Sequence, residues 1–244
     1  MENHIFTIAA HENLAKDVYR LTLRGDTSAI TKPGQFVNVR LSGYYLRRPL
    51  SVCDWQEGEL KLVYKVLGHG TADMTALQAG EKLDLLTGLG NGYDVSKCGD
   101  TALLIGGGAG VPPLYGLAKR LLAEGKKVKA AFGFNAANEI FLADDFASLG
   151  CEVYLATMDG SVGEKGLVTA AMAAAGDYDY VYTCGPMPML KAVYDATSCS
   201  GQYSFEERMG CGFGACVGCT CKTKYGDKRI CKDGPVLEKE EIVW

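Results

Sequence analysis

The chain has 244 residues, 48% apolar and 22% charged, with 29 acidic against 25 basic side chains. That length predicts two compact domains and a small appendage, and the charge balance excludes the basic surface that nucleic acid or an anionic membrane would require. His4, His11, Glu12 and Lys16 break the basic-then-apolar layout of an export signal, no stretch approaches the roughly 18 apolar residues of a membrane span, and the cysteines are therefore expected in a reducing cytoplasm, where clustered thiols more often bind metal than form disulfides.

Residues 5 to 95 read as short alternating stretches, Ile5 to Ala9, Val18 to Arg24, Gln35 to Leu41 and Glu59 to Leu67, with turn signals at Lys32-Pro33-Gly34 and Glu57-Gly58. Period-two alternation between such turns predicts an antiparallel β-barrel or sandwich. Arg47-Arg48-Pro49-Leu50-Ser51 is expected between barrel strands, and Tyr64-Lys65-Val66-Leu67-Gly68-His69-Gly70-Thr71 follows after one more strand. An arginine for phosphate with a serine hydroxyl beside it suits a flavin nucleotide, and equally suits an ordinary strand end.

From about Asp100 the rhythm changes. Apolar strands at Thr101–Ile105, Val128–Phe134, Glu152–Ala156 and Tyr180–Thr183 alternate with helical stretches at Leu114–Ala123, Ile140–Leu149, Leu167–Ala175 and Met187–Thr197. This alternation predicts a parallel α/β sheet covered by helices. After the first of these strands, Gly106, Gly107, Gly108 and Gly110 lead into a helix with Pro112 and Pro113 near its start. Their N–H groups, at the positive end of a helix dipole, suit a pyrophosphate, although the spacing is G-x-G-x-x-P and a tight strand-to-helix turn needs glycine with or without a ligand. A second loop, Thr183-Cys184-Gly185-Pro186-Met187-Pro188-Met189, opens another helix at the same end of the sheet. No basic residue stands between Met158 and Lys165 to receive a 2′-phosphate, so NADH is expected over NADPH.

After Tyr203-Phe205 the composition shifts to five cysteines between Cys211 and Cys231. Cys211, Cys216, Cys219 and Cys231 give C-x4-C-x2-C-x11-C, the plant-type [2Fe-2S] spacing of three near thiols and one distant one. Structural zinc is the competing reading, but zinc sites usually pair two short Cys or His motifs, and here three cysteines crowd one loop. Cys221 is expected to pack without ligating, and Trp244 likewise. The chain divides on these grounds into 1–98, 99–202 and 203–244: an antiparallel β-barrel, a parallel α/β nucleotide-binding domain, and a small C-terminal [2Fe-2S] subdomain.

Taken in order, Arg48-Pro49-Leu50-Ser51, Tyr64 to Thr71, the glycine loop and the CGPMPM loop resemble the ferredoxin reductase family over essentially the whole chain. The resemblance implies FAD in the barrel and NAD(H) as cosubstrate on the parallel sheet. Arg48 would hold the FAD phosphates and Ser51 would approach flavin N5. Pro49 and Leu50 complete that cofactor-binding strand, Leu50 standing where the family's Arg-x-Tyr-Ser pattern has an aromatic. Lys65, Val66 and Leu67 would line the ring or ribose, Gly70 and Thr71 would bind the pyrophosphate, and Cys184 with Gly185 and Pro186 would face the nicotinamide. Ser51 and Cys184 are thereby the candidate catalytic contacts.

The tail from Glu206 to Thr223, followed by Arg229 to Leu237, is similar to the electron-transfer subunits of class B dihydroorotate dehydrogenases. In that family such a chain accompanies an FMN-bearing TIM-barrel catalytic subunit in a heterotetramer, in de novo pyrimidine (UMP) biosynthesis. The resemblance implies an NADH-oxidising flavoprotein subunit that carries electrons between NAD(H) and the partner's FMN through FAD and [2Fe-2S]. Two readings compete: a reductase subunit of another complex, such as an NADH-dependent ferredoxin:NADP reductase or a hydrogenase diaphorase, and a non-enzymatic zinc-binding nucleotide sensor.

Overall fold

A computed structural model of the chain describes residues Met1 to Trp244. Six antiparallel strands, β1 (Glu2–Ala15), β2 (Val18–Arg24), β3 (Phe36–Arg40), β4 (Arg48–Gln56), β5 (Glu59–Lys65) and β6 (Lys82–Leu89), close into a barrel in the order β1-β2-β5-β4-β3-β6, with a short helix α1 (His69–Asp73) after β5. Alternation does the sorting: Val37 and Val39 of β3 and Val52 of β4 point into the barrel core with Leu21, Leu62 and Leu85, which leaves Phe36, Asn38, Pro49 and Ser51 on the outer face.

Arg48–Ser51, expected between strands, instead forms the first half of β4. Here β4 pairs with β3 from Arg48 to Ser51 but with β5 only from Val52 onward. The first half therefore has one open edge, which is why a proline is tolerated in it.

The second sheet contains β7 (Thr101–Gly107), β8 (Lys127–Phe134), β9 (Glu152–Thr157), β10 (Glu164–Lys165), β11 (Tyr180–Cys184) and β12 (Gly201–Ser204), all parallel, in the order β10-β9-β8-β7-β11-β12. Helices α2 (Pro113–Ala123) and α3 (Ala143–Leu149) cover one face, α4 (Val168–Ala174) and α5 (Met187–Ala196) the other. The helix expected from Ile140 begins only at Ala143, because Leu142 sits in the left-handed region at φ 62° and so cannot belong to it.

The barrel and this sheet share one core, in which Val18, Cys53 and Val63 pack with Leu114, Leu117 and Ala118 of α2. Lys119 Nζ closes the seam with a 2.7 Å bond to the buried Asp54 carboxylate. Beyond β12 the chain forms the cysteine loop, a hairpin of β13 (Thr220–Thr223) and β14 (Gly226–Arg229), and then β15 (Val236–Glu238), which returns to pair antiparallel with β12. Trp244 stacks on Phe205 and meets the edge of Tyr194, a packing role. No helix is long and apolar enough to cross a membrane.

Candidate cofactor and electron-transfer sites

The open edge of β4 leaves unpaired backbone groups beside Pro49 and Ser51, which is what a planar, hydrogen-bonding ring requires of a strand. The two preceding arginines divide their work. Arg47 is consumed structurally, bonding Asp84 Oδ1 at 2.9 Å and the Asn38 carbonyl at 3.2 Å. Arg48 lies over the Tyr44 ring, 4.1 Å from its centroid, and turns towards α1. A Cβ on Gly70 would come within 2.3 Å of Arg48 Nε, so only glycine admits the guanidinium at this point. The Thr71 hydroxyl is taken up by its own turn, accepting from the N–H groups of Leu67 and Gly68, which leaves its backbone for a ligand. An arginine cradled against a glycine turn, next to an unpaired strand edge, fits the phosphates and ring of FAD.

Between barrel and parallel sheet lies a cleft of about 460 Å³, within the usual range for a cofactor site. Its walls are the carboxyl ends of β7, β8, β9 and β11, where α/β sheets bind ligands, and Lys65 with Leu67 from the barrel. Val66 turns into the barrel instead. Gly107, Gly108 and Gly110 line the cleft. Gly108 has a positive φ of 49° and open space around it, whereas a Cβ on Gly110 would strike the Cys184 carbonyl at 2.1 Å. Gly106 faces Val111 and Phe132 and serves packing. Gly185 and Pro186 also line the cleft. Cys184 lies one residue deeper, 2% exposed, its thiol pushed up to about 12 by burial and by the nearby Glu206 carboxylate.

Sequence reasoning missed two acidic groups in this cleft. Glu139 takes a 2.8 Å bond from Lys65 Nζ and another from Asn135 Nδ2, and the Lys65 bond foremost holds its carboxyl below the usual range. Its place in the turn after β8 was the available signal, since that is the ligand-bearing end of the sheet. Glu206 reaches the cleft just after β12, and partial dehydration raises its carboxyl pKa.

The four expected metal ligands fall into two couples. Backbone N–H groups of Cys216 and Ala215 point at Cys211 Sγ (3.4 and 3.2 Å), and that of Cys211 at Cys216 Sγ (3.5 Å). The Cys231 N–H points at Cys219 Sγ, 3.4 Å away. Burial opposes ionisation of Cys211, but the N–H donors of Phe213, Cys216 and Ala215 prevail and hold its thiol near 6. Burial and the Cys219 sulfur push Cys231 up to about 12.

A single tetrahedral zinc would draw four sulfurs to about 3.8 Å from one another, given a Zn–S bond of about 2.3 Å. Only Glu2, His4 and Asp26 bring three ligand atoms within 4.8 Å of one another. Cys211, Cys216, Cys219 and Cys231, gathered as two couples, would suit a binuclear cluster, and the N–H donors aimed at their sulfurs would offset its negative charge. Gly212 (φ 75°) gives the loop its left-handed turn. Cys221 lies on the adjoining hairpin and packs against the sheet core.

Comparison with known proteins shows related domains over the same stretches of chain. The iron-sulfur cluster binding domain of dihydroorotate dehydrogenase B matches residues 206–243, and an oxidoreductase NAD-binding domain matches residues 104–195. An NADH-dependent reduced ferredoxin-NADP oxidoreductase superposes with a TM-score of 0.89 at 29% identity, over 98% of this chain and 90% of that one. A ferredoxin NADP+ reductase from Neisseria gonorrhoeae, solved with FAD and NADP, shares the fold at a TM-score of 0.69 and 15% identity, over 80% of this chain and 90% of that one.

The electron transfer subunit of dihydroorotate dehydrogenase B (NAD(+)) from Fusobacterium nucleatum is 42% identical over 97% of this chain and 96% of its own length. The corresponding subunit from Geobacillus sp. is 42% identical over 100% and 99%. With likeness of this degree along its full length, and with a barrel edge, a nucleotide cleft and a four-cysteine loop assembled in one body, the chain belongs to the family of dihydroorotate dehydrogenase B electron transfer subunits.

Proposed function

We propose that the chain carries electrons between NAD(H) in the cleft and the FMN of a dihydroorotate dehydrogenase catalytic subunit, by way of FAD on the open edge of β4 and a [2Fe-2S] cluster on Cys211, Cys216, Cys219 and Cys231. It would act in the cytoplasm, in UMP biosynthesis, two copies of it joining two TIM-barrel partners in a heterotetramer. The three units 1–98, 99–202 and 203–244 then hold FAD, nucleotide and cluster respectively.

When bound, the flavin exchanges a hydride with NAD(H) and electrons singly with the cluster. The chain's own residues supply placement. Arg48 would anchor the FAD phosphates, Gly70 and Thr71 the pyrophosphate through their backbone, and Ser51 the ring edge. Gly107, Gly108 and Gly110 leave room for a nucleotide, with Gly185 and Pro186 beneath the nicotinamide and Cys184 supporting that floor.

The observation that carries this reading is the pairing of β3 with β4: Ser51 of the open edge lies opposite Phe36, which shares a buried cluster with Cys219 and Cys231, and Asn38 two residues on in β3 bonds the Cys211 carbonyl. Flavin strand and cluster loop are thus one strand apart. Anaerobic purification followed by absorbance spectra with and without NADH tests it. Bleaching of both flavin and cluster bands is expected, and a colourless, zinc-containing protein would overturn it. The 29% likeness to an NADH-dependent ferredoxin-NADP oxidoreductase supports a second reading, a reductase subunit of another complex. The co-purifying partner distinguishes the two.

A further inference from the structure

Asn38 is an amide on the outer face of β3, 2% exposed, opposite Pro49 of the flavin-bearing strand. Its Nδ2 donates a long 3.4 Å bond to the carbonyl of Cys211, and its Oδ1 is buried without any partner. The approach is so close that a Cβ on Gly212 would fall 1.9 Å from Nδ2. The barrel core does not require a polar residue here, since the inward positions on either side are Val37 and Val39. A buried amide with one group unsatisfied is costly, and its retention calls for an explanation beyond packing.

We infer that Asn38 is the positioning residue that fixes the Cys211 arm of the cluster loop against the flavin strand, and that its free Oδ1 takes a bound water beside that loop. The inference rests on the proposed placement of FAD on β4 and of the cluster on the four cysteines. Asn38 spans the gap between them: one end holds the main chain of a ligand cysteine, and its own backbone is paired across to Pro49. It thereby sets both the separation the electron crosses and the polarity beside one iron.

The test uses the holo-protein. Asn38→Leu keeps the branched shape and removes both polar ends, and Asn38→Asp keeps the shape and replaces the donor. In both, NADH should reduce the flavin within about twofold of the wild-type rate. Electron arrival at the cluster, followed by stopped-flow absorbance, should slow by about ten- to a hundredfold, the usual cost of losing an outer partner of a metal ligand. The EPR spectrum of the reduced cluster should shift, and the aspartate should lower its midpoint potential.

Retention of FAD with selective loss of the cluster also supports the inference, because it reports an unmoored loop. Cluster reduction rates within twofold of wild type, with superimposable EPR spectra, overturn it. So does loss of fold and both cofactors together in both variants, which marks Asn38 as a plain core residue. A wild-type protein lacking flavin or cluster bands would defeat the site assignment itself, a separate result.

Discussion

Gly70→Ala separates cofactor anchoring from folding. The added methyl would lie 2.3 Å from Arg48 Nε and 2.8 Å from Cζ, and its three nearest neighbours all belong to that one flexible side chain. Backbone need not move, and Gly70 sits in helix α1 at an ordinary helical φ, so alanine should hold or slightly raise the stability of the flavin-free protein, by about 0.5–1 kcal/mol. What must yield is the guanidinium. If Arg48 bonds the FAD phosphates, its displacement forfeits a charge-assisted bond of about 1.5–3 kcal/mol. The FAD dissociation constant should then rise about ten- to a hundredfold. Quenching of flavin fluorescence measures the affinity and thermal melting of the apoprotein measures the fold. In a double-mutant cycle, Gly70→Ala should cost nothing further once Arg48→Ala is present. Unchanged FAD affinity in Gly70→Ala, or full additivity of the two substitutions, would refute the reasoning.

Other perturbations give opposite signatures. Gly110→Ala forces a methyl against the Cys184 carbonyl at 2.1 Å, backbone that cannot swing aside, so it should lower the melting temperature by an overpacking cost of about 1–3 kcal/mol and weaken NADH binding together. Cys221→Ser should keep the cluster's visible absorbance, whereas Cys219→Ser should lose or alter it, as iron analysis will show. The Cys184 thiol, raised to about 12 by burial, stays protonated at neutral pH, so it should resist iodoacetamide in the folded protein and impose no inflection between pH 6 and 10 on flavin reduction by NADH. Cys184→Ala with unchanged flavin reduction would dismiss any direct contact role. Lys65 holds the Glu139 carboxyl below its ordinary value, so the pair stabilises above the ordinary glutamate range and that contribution disappears as pH falls through the lowered value. Denaturation midpoints of wild type and Lys65→Ala should therefore converge in acid.

The four-cysteine loop was legible in the sequence because its spacing is one that few other sites share, and the fold gathers those cysteines into two couples. The change from period-two to strand-helix rhythm near Asp100 likewise exposed both sheets, since each rhythm reflects which face is buried. Arg48–Ser51 misled because a proline signals a break unless one edge of the strand is free, and that freedom depends on how far β5 reaches, a tertiary fact. Gly106 and Gly110 looked alike on paper; one packs against Val111 while the other lines the cleft beside a strand carbonyl. Asn38 and Glu139 carry no local motif at all. Their partners, Cys211 and Lys65, lie far off in sequence, and only the closing of barrel on sheet brings them together.

Residues 205 to 235 leave the sheet at Ser204 and rejoin it at Val236, and those two residues are register partners. The excursion is thus tied off at its base by main-chain bonds that owe nothing to iron. The two ends of the cysteine loop are accordingly pinned by the sheet itself, whatever its sulfurs hold.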